Sequence, residues 1–415
     1  MLSRTSTNTP TSFSNTILTV PNGPFRCLAL LETIASVVYG AGPFLGQILG
    51  FEASVDSTII CALIILVLAT IINFLGTKVL ATAAIIGFVA EIIGALIVGG
   101  WLLLTERHHG LGVLFDSFGA SGSDSYFIAF AAASLIGIFQ YYGFEACGDV
   151  ADEVPNPGVL IPKAMRRTIY IGGAAATFVC VALILAVADI PAVIAGEDVT
   201  PVDTILNDAF GPIGAKIVLG IVVISFLSCA MSLQAAASRL AYSYGRDDMI
   251  VGSKLLKKFS AARHIPPYAL LLAAIAPAII VLGSKVSTDA ITKIVSFAAF
   301  GIYLGFQMVV LASLRARLKG WKPSGKYQLG TWGLPINIGA LVYGIIAMIN
   351  MCWPRTPDAP WYDNYIVLIS GVVVVGSGLL YMIIHRSYGH SDMPYDDAIP
   401  KKYISKQNEP KDISM

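Results

Sequence analysis

Ten apolar runs follow one another along the chain, each near the roughly 20 residues that a helix needs to cross a bilayer. They cover residues 25–50, 57–76, 80–104, 125–146, 167–189, 213–240, 267–283, 290–313, 333–353 and 364–385. Hydrophobic residues make up 56% of the sequence and charged residues only 13%, whereas a soluble domain carries about 25% charged residues. The pattern therefore predicts an all-α integral membrane protein with about ten transmembrane helices.

The two ends of the chain differ from this apolar centre. Residues 1–24 are rich in Ser, Thr and Asn and lack the charge and apolar pattern of a signal peptide, so they predict a disordered N-terminal tail. Residues 25–386 form the predicted transmembrane domain, and the charged residues 387–415 form a predicted cytoplasmic C-terminal tail. The net charge of +1 implies no nucleic-acid partner.

Cysteine and histidine give no sign of a metal or cofactor site. The six Cys form no C-x-x-C pair and mostly lie in or beside apolar runs, which is typical of small core residues. The five His lie in loops or at the ends of spans. We therefore expect no cofactor, no metal and no disulfide.

The loop charges predict the orientation. An even number of spans places both termini on one side, together with every second loop. That side holds Lys78, the group Lys163, Arg166 and Arg167, the basic run 246–263 and five basic residues between 315 and 326. The opposite loops carry few basic residues and lean acidic around residues 189–208. Because basic loops mark the cytoplasmic face, both termini are predicted to be cytoplasmic, in a protein of the plasma membrane.

The fourth run contains a break in its apolar pattern. Polar and small residues replace the Leu/Ile/Ala texture at Gln140, Tyr141, Tyr142, Gly143 and Glu145, and Pro155, Pro157 and Pro162 then exclude a regular helix. A carboxylate within a membrane-length segment is costly unless it lines a cavity or a site, and an interrupted helix is a good pointer to a transporter's binding site. The alternative is that the span simply ends at Gly143 and that Glu145 lies among lipid headgroups.

Two motifs carry a resemblance to a known family. The segment GFEACGDVADEVPNPGVLIPKAM is similar to the exit of the sixth helix in the amino acid–polyamine–organocation (APC) transporter superfamily, with the pattern G-F-[DE]-x(5–7)-[DE]-E-x-x-N-P-x-x-x-[IV]-P-[RK]. The matching residues are Gly143, Phe144, Glu145, Asp152, Glu153, Asn156, Pro157, Ile161, Pro162 and Lys163. Residues 238–248, SRLAYSYGRDD, resemble the family's S-R-x-x-[YF]-[AS]-x-[AG]-R-D-[GD] at the end of its eighth helix.

The resemblance implies a LeuT-like inverted-repeat fold. Members of that superfamily usually have twelve helices, of which the first ten form two inverted repeats of five, and the first helix of each repeat is broken. Here the two motifs fall in spans four and six instead of six and eight. We therefore expect a fold that is N-terminally incomplete by two helices. On this hypothesis the broken span faces an open groove, and the chain transports only when two further helices are supplied.

The same resemblance suggests site residues. In the family the unwound backbone of the sixth helix receives the substrate amine and an aromatic side chain packs over the substrate. The implied substrate-binding residues are Phe139, Gln140, Tyr141, Tyr142, Gly143 and Glu145. Plain helix packing is the alternative for each aromatic. Candidates for coupling or gating are Glu91, a carboxylate inside a span, the hydroxyls of Ser232 and Ser238, and Arg239 at the predicted cytoplasmic end.

These features favour a secondary active transporter, or permease, that moves amino acids or related amines. The partners implied are a small-molecule substrate, the lipid bilayer and a coupling ion, for which both H⁺ and Na⁺ fit the sequence. No G-x-x-x-x-G-K-[ST] loop is present, which disfavours transport driven by ATP. The alternatives are a non-transporting truncated remnant and a membrane-embedded enzyme. An enzyme would need a convergent acid/base or metal set at membrane depth.

Overall fold

The computed structural model describes residues 22–119, 126–141, 143–149, 154–198, 200–286, 290–320, 327–355 and 360–385. Its α-helices are α1 (Asn22–Leu49), α2 (Val55–Phe74), α3 (Thr77–Thr105), α4 (Tyr126–Gln140), α5 (Ala146–Asp149), α6 (Pro157–Arg167), α7 (Gly173–Ala186), α8 (Ile190–Ala195), α9 (Pro201–Arg246), α10 (Ser253–Leu256), α11 (Pro267–Gly283), α12 (Ala290–Leu318), α13 (Gly333–Cys352), α14 (Trp361–Asn364) and α15 (Ile366–His385). A π-helix, Thr168–Gly172, joins α6 to α7.

A helix lies at each of the ten predicted spans, which confirms the all-α membrane fold. Within the described part of the chain, seven helical segments are long and apolar enough to cross a membrane: Cys27–Leu49, Val55–Phe74, Thr77–Thr105, Pro157–Ala186, Pro201–Arg246, Phe297–Leu318 and Gly330–Cys352. Three apolar helices are shorter: Tyr126–Gln140, Pro267–Gly283 and Ile366–Tyr381. Large apolar side chains such as Val67, Ile85 and Ile217 are exposed on the outer faces of the helices, as lipid contact requires.

Three boundaries differ from the apolar runs. Helix α1 begins at Asn22, inside the predicted tail, because Pro24 lies in the first turn, where its missing N–H is no loss. Helix α6 precedes the fifth run, so the prediction that the prolines exclude a regular helix there is wrong: Pro157 lies in the first turn, where proline is tolerated, and Pro162 lies inside the helix. Helix α9 extends the sixth run at both ends and is kinked at Gly211. The added segments carry polar and charged residues, which a hydropathy pattern leaves outside a span. Residues 1–21 and 386–415 of the predicted tails, and residues 321–326 of a basic loop, lie outside the described residues.

Helix α1 forms the centre of the bundle. It packs against α2, α9, α11 and α12. Its side chains Leu30, Ile34 and Val38 are fully buried and share one core with Ile65 of α2 and Met231 of α9. Small residues allow the helices to approach closely, as is usual in membrane bundles. A Cβ atom on Gly301 of α12, for example, would lie only 2.8 Å from the Cβ of Ala29.

Two buried amides join α2, α9 and α11 within this core. The Asn73 amide nitrogen lies 3.0 Å from Met231 O and 3.2 Å from the Gln234 side-chain oxygen. The Gln234 amide nitrogen donates to Thr70 Oγ1 at 2.7 Å and to Ala273 O at 3.3 Å. Hydrogen-bonded amides at this depth fix the register of three helices, because an unmatched polar group in the core is costly.

Contacts between loops follow the predicted alternation of sides. On the predicted outer side, Lys285 Nζ lies 2.6 Å from Asp56 Oδ1, and the amide of His108 donates to Leu185 O at 2.9 Å. On the predicted inner side, Thr77 Oγ1 donates to His264 O at 3.1 Å, and Arg166 lies 4.6 Å from the ring centroid of Tyr327. Each of these four contacts joins segments that the ten-span pattern places on one side.

Candidate functional site

The fourth span is interrupted, as predicted from its sequence. Helix α4 ends at Gln140, and Gly143 adopts a φ of +97°, a conformation that glycine tolerates and most other residues avoid. Tyr142 lies outside the described residues. With 15 residues, α4 is about 22 Å long, shorter than the roughly 30 Å hydrocarbon core. The chain then turns through Glu145, whose carbonyl accepts from the amide of Gly148, into the short helix α5.

Glu145 is buried in this turn, with only 5% of its surface exposed. The neighbouring ring of Phe144 stacks on Phe306 of α12, with the ring centroids 5.2 Å apart. Glu145 also lies near Tyr303 of α12. The Glu145 side chain therefore packs inside the protein and is not on its exposed surface.

An aromatic cluster on α12 and α13 lies beside the break. The hydroxyls of Tyr303 and Tyr343 are 3.2 Å apart, and Tyr303 meets Phe306 edge to face at 6.4 Å. Phe139 of α4 packs against the core that contains Tyr303. The sequence did not predict a role for Tyr303, Phe306 and Tyr343, because these residues lie about 160 to 200 positions from α4 in ordinary apolar runs. Of the predicted substrate residues, Phe139 and Glu145 therefore lie on the α12 side of the break.

Tyr141 points to the other side, towards α7. Its hydroxyl lies 3.2 Å from Thr177 Oγ1 and 3.5 Å from Gly173 O. A Cβ atom on Gly173 would collide with the Tyr141 ring, so the ring packs directly on the α7 backbone. An open groove of about 560 Å³ lies here, beside the π-helix Thr168–Gly172. Gln140 is exposed. The structure thus divides the predicted substrate residues between two faces of the break.

Glu91 lies where α3 crosses α9. Gly87 packs against Ser228 so closely that a Cβ atom on the glycine would collide with that side chain. One turn further along α3, Glu91 lies near Cys229 of α9. The Glu91 side chain is exposed on the rim of this crossing, outside the main core.

The other coupling or gating candidates follow along α9. Ser232 is exposed and Ser238 is buried, and each hydroxyl donates at 2.8 Å to a backbone carbonyl of its own helix. Arg239 Nη1 lies 3.2 Å from Ala235 O. Ten residues separate Cys229 from Arg239, which is about 15 Å along a helix. Helix α5, directly after Glu145, also packs against α9. The long helix α9 therefore connects the break with the candidate coupling residues.

The first half of the broken span is anchored by Asn350 of α13. The Asn350 amide nitrogen lies 2.7 Å from Ala131 O and 3.1 Å from Ser134 Oγ of α4. Arg355 Nη2 in turn donates to Asn350 Oδ1 at 2.7 Å and to Asn350 O at 2.6 Å. Burial lowers the pKa of Arg355 from its ordinary value. The pair fixes the position of α4 relative to the aromatic cluster.

Comparisons with known proteins identify the family to which this sequence is similar. Residues 11–376 match the family described as amino acid permease. An uncharacterized amino-acid permease of Schizosaccharomyces pombe is 24% identical over 65% of this chain and 49% of its own length. The amino-acid permease BAT1 of Arabidopsis thaliana is 23% identical over 63% of this chain and 52% of its length. A choline transporter of Saccharomyces cerevisiae is 23% identical over 63% and 46%. The chain spans about half the length of these curated relatives.

Proposed function

The chain belongs to the amino acid permease family, and from this premise we propose that it is a secondary active transporter of amino acids or related amines. The observation that carries the proposal is the interruption after α4, which places the buried carboxylate of Glu145 beside unwound backbone at Gly143. Broken helices with free backbone groups next to a charged side chain are the usual construction of a transporter's binding site.

The chemistry of the break suits a cationic nitrogen. The carbonyl end of α4 carries the negative end of the helix dipole, and the Glu145 carboxylate adds a negative charge nearby. The rings of Phe144, Phe306 and Tyr303 offer faces that attract cations. The Arabidopsis relative is named for amino acids and the yeast relative for choline, and both kinds of compound carry a positive nitrogen.

An ion gradient drives the proposed transport. Protonation suits Glu91 or Glu145 as carriers of H⁺, whereas the hydroxyls of Ser232 and Ser238 suit Na⁺. Arg239 gates the cytoplasmic side in this proposal. The protein lies in the plasma membrane with both termini in the cytoplasm, an arrangement supported by the charge asymmetry of the loops.

Uptake into proteoliposomes tests the proposal. The 415-residue chain is reconstituted and offered radiolabelled amino acids, putrescine and choline under an imposed pH gradient, a Na⁺ gradient or neither. Saturable accumulation of one of these compounds under one of the two gradients would support the proposal and would contradict the hypothesis that transport requires two further helices. Absence of gradient-driven accumulation for all of them, in a folded preparation, would favour a non-transporting chain.

Two glutamine variants sharpen the test. E145Q removes the buried charge and is expected to reduce substrate affinity about 10- to 100-fold, as loss of a hydrogen bond to a charged group does. E52Q makes the same chemical change at an exposed loop position and should leave uptake unchanged. Equal behaviour of the two variants would remove Glu145 from the site.

Labelling of cysteines introduced at Lys257 and Lys285 tests the orientation, with Lys285 expected to react from outside the cell.

A further inference from the structure

A second groove lies away from the candidate site, between α2 and α11 on the outside of the bundle. It has a volume of about 490 Å³. Its walls are apolar side chains of the two helices, and Arg263 lies at one end. The α2 side chains Leu63, Val67, Ile71 and Leu75 line its length. The proposed transport function makes no use of this groove.

The length of the groove matches one leaflet of a bilayer. Leu63 and Leu75 are twelve residues apart on or beside α2, about 18 Å along a helix, and half of the hydrocarbon core is about 15 Å. Thr70 is a polar side chain among the lining residues, and its hydroxyl is already engaged. It donates to Leu66 O at 2.7 Å and accepts from Gln234 Nε2 at 2.7 Å. The walls therefore offer an apolar chain a surface without competing polar groups.

The basic end of the groove is held in place by the adjoining loop. Arg263 O lies 3.1 Å from the position that a Cβ atom on Gly76 would take, and the next carbonyl, His264 O, accepts from Thr77 Oγ1 at 3.1 Å. A bridge between Ser260 and Ile265 closes the loop around Arg263. The side chain that ends the groove thus stands on a fixed backbone.

The charge of Arg263 has no counter-ion within the described part of the chain. Its guanidinium makes no hydrogen bond or ion pair with the described residues, and its side chain is exposed. The neighbouring lysines are engaged: Lys257 lies 3.1 Å from Asp248, and Lys258 lies 5.1 Å from the centroid of the Tyr268 ring. In this loop Arg263 is therefore a cation available to an external anion.

We infer that this groove is a binding site for an anionic glycerophospholipid of the cytoplasmic leaflet, with an acyl chain along α2 and α11 and the headgroup phosphate on Arg263. The leaflet follows from the proposed orientation, and cytoplasmic leaflets are rich in acidic lipids. Arginine is well suited to phosphate because its planar fork donates two parallel hydrogen bonds. A second copy of this chain fits less well, because an apolar helix in the groove would leave the Arg263 charge unmatched.

Photo-crosslinking of the purified full chain tests the inference. The chain is incubated in mixed micelles with a photoactivatable phosphatidylserine or with a phosphatidylcholine of identical chains, and the labelled peptides are mapped. Phosphatidylserine is expected to label residues 63–75 and 263–278 about fivefold more than phosphatidylcholine does, since one basic residue contributes about that factor. An excess of glycerol phosphate, which lacks acyl chains, should not compete. This assay in micelles is independent of transport and of orientation.

Three variants complete the experiment. R263Q should reduce labelling by phosphatidylserine to the level of phosphatidylcholine, whereas K254Q, which removes an exposed charge from the neighbouring helix α10 without touching the groove, should not. A278F retains the charge but fills the groove, and it should weaken labelling by both lipids. Any one of four results would overturn the inference. They are equal labelling by the two lipids, equal effects of R263Q and K254Q, competition by glycerol phosphate, and crosslinks to a second copy of the chain in place of lipid. A folded gel-filtration profile is required of every variant.

Discussion

Replacement of Asn73 by alanine should destabilise the bundle without touching the candidate site. Asn73 is 2% exposed and Gln234 is 0% exposed. The substitution removes two hydrogen bonds that cross from α2 to α9, those to Met231 O and to the Gln234 side chain. Interhelical hydrogen bonds in membrane proteins contribute about 0.6 kcal/mol on average and up to about 1.7. Because Gln234 also loses a partner in the core, we expect the free energy of unfolding to fall by about 2 kcal/mol.

The measurement is reversible unfolding in mixed micelles, followed by helical circular dichroism. Asn207→Ala is the matched control, since the Asn207 amide is exposed and, among the described residues, bonds only to Asp203 O of its own helix at 2.9 Å. We expect the control to change the free energy of unfolding by less than about 0.5 kcal/mol. A double-mutant cycle between N73A and Q234A should show a coupling of at least about 0.5 kcal/mol, as residues in contact do.

Two results would refute this reasoning. If Asn73→Ala costs no more than Asn207→Ala, the buried amide contributes nothing beyond what lipid or water supplies. If the two core substitutions are additive, the contact between Asn73 and Gln234 has no energetic role.

Three further predictions concern other contacts. Gly87→Leu should drive a side chain into Ser228 and cost about 1–3 kcal/mol in thermal unfolding; an unchanged midpoint would show that the α3–α9 crossing is loose. Asn350→Leu should release α4, lowering the free energy of unfolding by about 1 kcal/mol and raising amide exchange in α4; unchanged exchange would contradict its anchoring role. Lys285→Ala should cost under about 0.5 kcal/mol, because Lys285 and Asp56 are 55% and 69% exposed, and any larger, salt-independent loss would argue against a surface ion pair.

The spans could be predicted from sequence because a membrane segment needs a long apolar run. The ends of two helices could not. Helix α6 contains Lys163, Arg166 and Arg167, and the charges from which a cytoplasmic position is predicted also remove it from any apolar run. Helix α9 continues beyond its apolar part as far as Arg246, since the backbone can remain helical where its side chains are polar.

The candidate site was also only partly predictable from the sequence. The break was predictable because Gly143 acts on the local backbone, where it adopts a φ of +97°. The partners of the break were not, because Phe306 and Tyr343 stand in runs with no unusual pattern and meet α4 only through tertiary packing. The same holds for Thr177, which meets Tyr141 across a separation of 36 residues.

The short link between α2 and α3 affects how this part of the protein assembles during synthesis. Only Leu75 and Gly76 separate the two helices, a reach of about 7 Å, so the pair enters the bilayer as a helical hairpin. The carbonyl of Arg263, which lies close to Gly76, emerges from the ribosome roughly 190 residues later, which is about 10–40 s at ordinary rates of synthesis. During that interval the hairpin lacks this contact. Gly76 has a φ of +108°, so a bulkier residue there strains the link from the moment the hairpin forms, before the loop at Arg263 exists.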